Sequence, residues 1–365
     1  MRVEIDSQSG FCFGVVGAIS KAEARIAANG ARDERAVADD DGVGVPGEMS
    51  GATEEVAGVP DRAERLVSLG DIVHNGAEVA RLEALGLETV PEQTDLATLA
   101  GRTVLIRAHG EPPATYAMAA RHGITLVDAT CPVVARLQRT AREAGADMKR
   151  VGGQVAIFGR RGHAEVRGLA GQVEAGMNSV DGGAGAGRAA VAGFGSKAGG
   201  AIVVEGEADL DEIDFSRPIY FMAQTTGSLA EFRRLSEAIQ GRATNPAAVT
   251  VRDTVCRQVA GREEHLVEFA KRHDAVVFVA GGKSSNGRVL FEAVGAANPR
   301  SHKIESASEL RPEWFEGCGS VGVCGATSTP KWLMEEVARK IMKAESNRKF
   351  IFRLPRRILS WMSEA

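Results

Sequence analysis

Three cysteines, Cys12, Cys131 and Cys256, stand at near-equal intervals along the 365-residue chain. Two share a frame, Asp128-Ala-Thr-Cys131 and Asp253-Thr-Val-Cys256, each closing a β-branched apolar run. The third lies in Gly10-Phe-Cys-Phe-Gly14, just ahead of a helical pattern. One such cysteine alone reads as a buried thiol, because free Cys packs as a small apolar residue. Three at strand ends, two of them in matching frames, read as ligands brought to a common centre. Structural zinc takes closely spaced pairs such as C-x2-C, and this sequence has none. Thiolates also hold iron–sulfur clusters, and four saturate a [4Fe–4S] unit. Three would leave one iron open, which a catalytic rather than an electron-carrying cluster requires. The sequence therefore predicts one iron–sulfur cluster on Cys12, Cys131 and Cys256. The remaining thiols, Cys318 and Cys324, read as core or site-lining residues.

Three loop histidines and three polar clusters accompany the cysteines. The histidines are His74, His109 and His163, and the clusters are Thr225-Thr226, Ser284-Ser285-Asn286 and Thr327-Ser328-Thr329. Each alone reads as a helix cap or a satisfied loop residue. Together they form a donor-rich set suited to an anionic group such as diphosphate, held by hydrogen bonds and helix N-termini. Glu165 follows His163 by two positions, and a carboxyl there can relay protons. His122, His265, His273 and His302 fall in helix-like or exposed contexts and receive no role.

The elements that must position these groups alternate along the chain. Met1–Ile5 is strand-like, and seven further apolar runs end in polar or Gly-rich loops: 104–110, 124–131, 155–163, 218–226, 249–256, 275–286 and 321–330. Helical patterns over 133–144, 228–240, 257–273, 288–297 and 329–344 follow most of them. Ser228 and Glu231 fit a capping box, and Pro330 suits a first helical turn. Alternation of this kind predicts an α/β fold with mostly parallel sheets, whose ligands gather at the carboxyl ends of the strands. His109, Cys131, His163, Thr225, Cys256, Ser284 and Ser328 all fall at such ends. The cysteine spacing predicts three similar α/β units, over 1–130, 131–252 and 253–345. Residues 31–62, with nine acidic side chains, and 176–200, with nine glycines, read as mobile surface insertions. Neither can bury enough apolar area to offset its ordering entropy. The tail, 346–365, mixes basic residues with Phe, Ile, Leu and Trp, and is expected to pack back on the third unit.

Composition excludes other classes. Hydrophobic residues make up 44% and charged residues 25%, as in ordinary globular chains. A net charge of −4, a pI near 6.1 and 5% aromatics supply neither the field nor the stacking surface that nucleic acid needs. No segment approaches the roughly 20 apolar residues of a membrane span. The N-terminus lacks the basic-then-apolar pattern of a signal peptide, so a cytoplasmic location is expected.

Nine segments carry a family resemblance: GFCFGV (10–15), IVHN (72–75), RAHGEPP (107–113), DATCP (128–132), GHAEV (162–166), QTT (224–226), DTVC (253–256), GGKSSN (281–286) and GATSTP (325–330). In this order, and over about residues 1–345, the chain resembles the 4-hydroxy-3-methylbut-2-enyl diphosphate reductase family. The resemblance implies three α/β domains in a cloverleaf, with pseudo-threefold symmetry around a [4Fe–4S] cluster on the three cysteines. It implies substrate contacts from His74, His109, His163, Thr225, Ser284, Ser285, Asn286 and Ser328, and Glu165 as the proton donor. The implied reaction removes an allylic hydroxyl, with electrons from a protein such as ferredoxin or flavodoxin. Three features depart from the pattern: Ala164 in place of a common proline, Cys324 as a spare thiol near the substrate, and the two insertions. The competing reading is a non-catalytic cluster-bearing redox sensor or substrate-binding relic, against which an intact Glu165 and donor set argue. A zinc hydrolase built on the histidines is set aside because no close ligand pair occurs in the sequence.

Overall fold

The computed structural model describes the backbone of residues 1–38, 65–180, 197–198 and 200–353. The described strands form three sheets, each flanked by helices. The first runs Leu87–Val90, Leu66–Leu69, Thr103–Ile106, Thr125–Asp128. The second runs Val249–Arg252, Ile219–Ala223, Gln154–Phe158, Ala201–Val204, with Lys197–Ala198 added antiparallel at its edge. The third runs Arg2–Ile5, Ser320–Gly325, Ala275–Val279, Ser301–Ile304. All other pairings are parallel. Their central strands are continuous apolar runs such as Ala275–Val279, buried along their full length because helices cover both faces.

Each sheet has one less buried edge strand, and that strand leads to a cysteine: Arg2–Ile5 to Cys12, Thr125–Asp128 to Cys131, Val249–Arg252 to Cys256. The helix that follows each cysteine belongs to the next sheet. Ala18, Ile19 and Ala22 of Phe13–Ala38 pack on Leu66 and Leu105; Leu137, Ala141 and Ala144 of Pro132–Arg150 pack on Val155 and Ile157. Leu266, Phe269 and Ala270 of Arg257–Lys271 pack on Val276 and Phe278. A repeating unit therefore runs from one cysteine to the next, and the even spacing of the cysteines is the length of that unit. The third unit takes its edge strand from the N-terminus, so Arg2–Ile5 sits in the third sheet and not with the first unit, where the 1–130 boundary had placed it.

The ends of both insertions also differ from expectation. The first helix continues through Ala38, so 31–38 is helical, and the rest of that insertion lies outside the described residues. Residues 176–180 complete the helix Ala164–Val180, and 197–198 form the added strand. Gly176 is a helix-crossing residue: a Cβ there would overlap the Arg142 carbonyl of the neighbouring helix Pro132–Arg150. Gly145 answers it from the other side, where a Cβ would overlap the Val173 carbonyl. The glycines that lower helix propensity here are thus the ones that let two helices touch. The C-terminal helix Lys331–Arg353 reaches into the tail, whose side chains and last residues lie outside the description.

Candidate active site

The three cysteines are held by one repeated arrangement. Each backbone N–H donates to a carbonyl just beyond the neighbouring strand: Cys131 to Ala108 at 3.0 Å, Cys256 to Thr225 at 2.8 Å, Cys12 to Thr327 at 3.2 Å. Each cysteine carbonyl then accepts a first-turn bond of the following helix, from Ala135 (2.8 Å), Ala260 (3.0 Å) and Val16 (3.0 Å). The thiols therefore stand at three helix N-termini, where the macrodipole favours thiolate. Burial opposes this at Cys131 and pushes its thiol up, partly offset by the N–H groups of Val134 and Val133. All three cysteines are free and line one cavity, with no further thiol there among the described residues. A Cβ on Gly14 would sit 2.7 Å from Cys131 Sγ and 3.9 Å from Cys12 Sγ, so a glycine keeps that wall open to sulfur. Three converging thiols with no fourth fit a cluster that has three protein ligands.

Two contacts that sequence reasoning did not foresee tie Cys12 to Cys256. Arg262 Nη1 donates to the Gly10 carbonyl at 2.7 Å, and His265 Nε2 lies 2.6 Å from Oδ1 of buried Asp6. Both clamp the loop before Cys12 onto the helix after Cys256.

Histidines from three separate loops meet opposite the cysteines. Ring centroids are 4.9 Å apart for His74–His109, 5.3 Å for His74–His163 and 5.2 Å for His109–His163. Their nitrogens lie within 4.8 Å of one another, so the absence of a close pair in the sequence did not preclude a cluster in space. Both nitrogens of His74 and Nδ1 of His109 are buried without a hydrogen-bond partner. Burial and the neighbouring charges hold all three rings down: His74 below its ordinary value, His109 well below, His163 at about 3. In the free protein they are neutral at pH 7. His163 Nδ1 accepts from the Glu165 N–H (3.2 Å) and lies 3.1 Å from Gln224 Nε2, so the neutral ring carries its proton on Nε2. Gln224 is turned that way by the Arg160 N–H, which donates to its Oε1 at 3.1 Å. Sequence reasoning quoted Gln224 in its motif and gave it no role.

Glu165 is buried at the start of helix Ala164–Val180. Burial raises its carboxyl to about 7, against two donors that lower it. These are the Thr225 N–H to Oε1 at 2.7 Å and Thr225 Oγ1 to Oε2 at 2.8 Å. A carboxyl poised near neutrality can hold and release a proton at working pH.

The third wall is a helix start. Ser284 caps helix Ser285–Ala297 by accepting the Gly287 N–H at 3.0 Å, and Ser328 Oγ donates to Ser284 Oγ at 3.1 Å. Thr327 donates twice to Asn286 Oδ1, at 3.0 and 2.8 Å, which turns the Asn286 amide so that its buried Nδ2 has no partner. Ser285 lines the same cavity. All twelve residues singled out in the sequence thus border one cavity: Cys12, His74, His109, Cys131, His163, Glu165, Thr225, Cys256, Ser284, Ser285, Asn286 and Ser328. Cys324 does not. It is fully buried beneath the site against Leu266 and Phe278, its thiol pushed well up by burial, so it is a core residue and not a thiol near substrate.

Behind the histidines lies a buried ion network that the sequence left unread. Arg107 is wholly buried and bonds Glu92 at 2.7 Å and Glu111 at 3.2 Å, while Arg167 reaches Glu92 at 2.9 Å. It braces the loop that carries His109. Arg107→Met leaves Glu111 buried without its cation and is expected to cost about 3–5 kcal/mol of stability. An unfolding free energy from denaturant titration within about 1 kcal/mol of wild type would show that the loop is braced otherwise.

Comparison with known proteins places this site in a family. The LytB protein family matches residues 43–342. The 4-hydroxy-3-methylbut-2-enyl diphosphate reductase of Parabacteroides distasonis is 42% identical over 347 residues, covering 95% of this chain and 99% of that protein. The protein of the same name from Porphyromonas gingivalis is 43% identical over 340 residues, covering 93% and 98%. A solved structure of (E)-4-hydroxy-3-methyl-but-2-enyl diphosphate reductase, described as the terminal enzyme of the non-mevalonate pathway, aligns with a TM-score of 0.55 at 28% identity, over 94% of this chain and 100% of that one. A Plasmodium falciparum reductase structure aligns with a TM-score of 0.69 at 17% identity over 93% and 87%, a likeness of fold alone. With a family match over most of its length and relatives this similar over nearly all of theirs, the chain belongs to the LytB family.

Proposed function

We infer that this chain catalyses the reductive dehydroxylation of (E)-4-hydroxy-3-methylbut-2-enyl diphosphate to isopentenyl and dimethylallyl diphosphates. The observation that carries the reading is the meeting, in one cavity, of three thiols at helix starts, a carboxyl poised near neutrality and a wall of unpartnered polar groups. A redox sensor needs neither the carboxyl nor the donors. Cys12, Cys131 and Cys256 would hold a [4Fe–4S] cluster, which would supply the two electrons in turn and a Lewis-acid position at the iron without a protein ligand. The protein's own groups do the rest. His74, His109, His163, Ser284, Ser285, Asn286 and Ser328 bind the diphosphate and fix the carbon chain, which lowers the entropic barrier. Thr225 holds the hydroxyl end and Glu165 donates the proton with which the hydroxyl leaves as water; a second proton, taken up by the reduced allyl fragment, completes the two-electron, two-proton reduction. Ferredoxin or flavodoxin is the electron donor proposed, and the cytoplasm the location. Among the described residues no helix is long and apolar enough to cross a membrane. Purified without oxygen, the protein should be brown, contain iron and sulfide, and consume the allylic diphosphate with a chemical reductant. A colourless protein, or a brown one inert toward this substrate, overturns the reading.

Diphosphate binding should be linked to protons. The three imidazoles are held neutral in the free protein, and a polyanion beside them stabilises their charged forms. The bound state then carries more protons than the free state between the two sets of values, so affinity strengthens as pH falls through that window. Calorimetry with inorganic diphosphate, in buffers of different ionisation enthalpy, should show net proton uptake at pH 7. Uptake that persists undiminished in His74→Ala would remove that ring from the binding site.

A further inference from the structure

We propose that the groove between the loop before Cys12 and the helix Arg257–Lys271 is the docking surface for a small acidic electron carrier of the ferredoxin type. The proposal rests on the reductase reading and adds the route by which its electrons arrive. Cys12 borders two spaces, the substrate cavity and this outward-facing groove, so one ligand side chain separates the cluster position from solvent. An electron entering here crosses the Cys12 side chain, while His163 and Glu165 on other walls of the cavity are buried.

The groove has the chemistry of a redox interface. Arg257 and Arg262 line it together with Phe11 and Phe13, and among the described residues no carboxylate does. The Arg257 side chain is 71% exposed, and its one ion pair, to Asp253 at 2.9 Å, is a surface contact of small worth that a partner's carboxylate can replace. Phe13 and Val16 are exposed by 46% and 48%, among the few large apolar side chains so exposed. Three positions apart, they lie on one face of the helix that Cys12 begins. Exposed aromatic and Arg side chains around a small apolar patch are the composition that interface centres favour, and a cationic rim steers an anionic partner. The contacts from Arg262 to Gly10 and His265 to Asp6 keep the two sides of the groove in register.

The test uses the cluster-loaded enzyme and an oxidised plant-type [2Fe–2S] ferredoxin. Titration calorimetry should give an affinity for wild type that falls as salt rises, and one weaker by about tenfold or more for Arg257→Glu. Val16→Glu, on the exposed helix face one turn beyond Phe13, should weaken it likewise. Turnover driven by reduced methyl viologen should stay within about twofold for both variants, while ferredoxin-driven turnover falls in step with binding. Unchanged ferredoxin affinity in both variants overturns the proposal. So does a wild-type dimer in sedimentation that either substitution dissociates, since the groove would then be filled by a second copy. If wild type binds ferredoxin at this groove but viologen drives no turnover of the allylic diphosphate, the reductase reading fails and the docking surface stands.

Discussion

Glu165→Gln should lower kcat by about 10²–10⁴-fold, the range for loss of a positioned general acid, and leave cluster absorbance and diphosphate affinity nearly unchanged. Glutamine keeps the size of the side chain; its carbonyl oxygen can accept the Thr225 N–H, and its amide N–H can donate to Thr225 Oγ1, which now donates to the carboxylate. It has no proton to release. The pH profile separates a chemical role from a structural one. Burial sets the Glu165 carboxyl at about 7, so wild-type kcat should decline as pH rises through that value and the acid is lost. The Gln variant should show no such limb. A Gln variant within a few-fold of wild type, or one that keeps the limb, would pass the proton to another group, with His163 the next candidate.

Cys131→Ser should lose most cluster iron and all measurable turnover, whereas Cys318→Ser should keep both. A serine oxygen is a poor ligand for iron–sulfur units, which select soft thiolates. The fold should survive, because the Cys131 main chain makes the bonds that organise the crossover, to Ala108 and from Ala135, and serine preserves them. Circular dichroism close to wild type, with iron and sulfide much reduced, is therefore the expected pair of readings. Cys318 lies half-buried by Trp314, away from the cavity, which makes it the proper control. Full iron and activity in Cys131→Ser would remove that cysteine from the ligand set.

How much of this was legible follows from where each residue's signal resides. The cysteines carried theirs in repeated local frames, and the frames exist because each unit repeats one local structure: edge strand, tight turn, helix start. The central strands were legible as well, since strands buried on both faces must be continuous apolar runs. Helix Ala164–Val180 was not, because its glycines answer a packing demand made by a helix far away in sequence. Short strands such as Leu87–Val90 and Ser301–Ile304 carry too few residues for a period to show.

The amino-acid sequence by itself determined the residue types, thiols, imidazoles, hydroxyls and one carboxyl, and placed His109, Cys131, His163, Thr225, Cys256, Ser284 and Ser328 at the carboxyl ends of strands. It determined the repeat, because two matching local frames, ending in Cys131 and Cys256, stand one unit apart. Only the tertiary structure decided which ends face one another. His74, His109 and His163 meet across two sheets, and no spacing rule records a contact made by folding. Tertiary structure also decided that Arg2–Ile5 completes the third sheet, since an alternating strand specifies a buried face and leaves its hydrogen-bonding partner open. The poise of Glu165 arose there too. A carboxyl's affinity for its proton depends on how much water folding removes from it, and that is a property of the surroundings rather than of the residue.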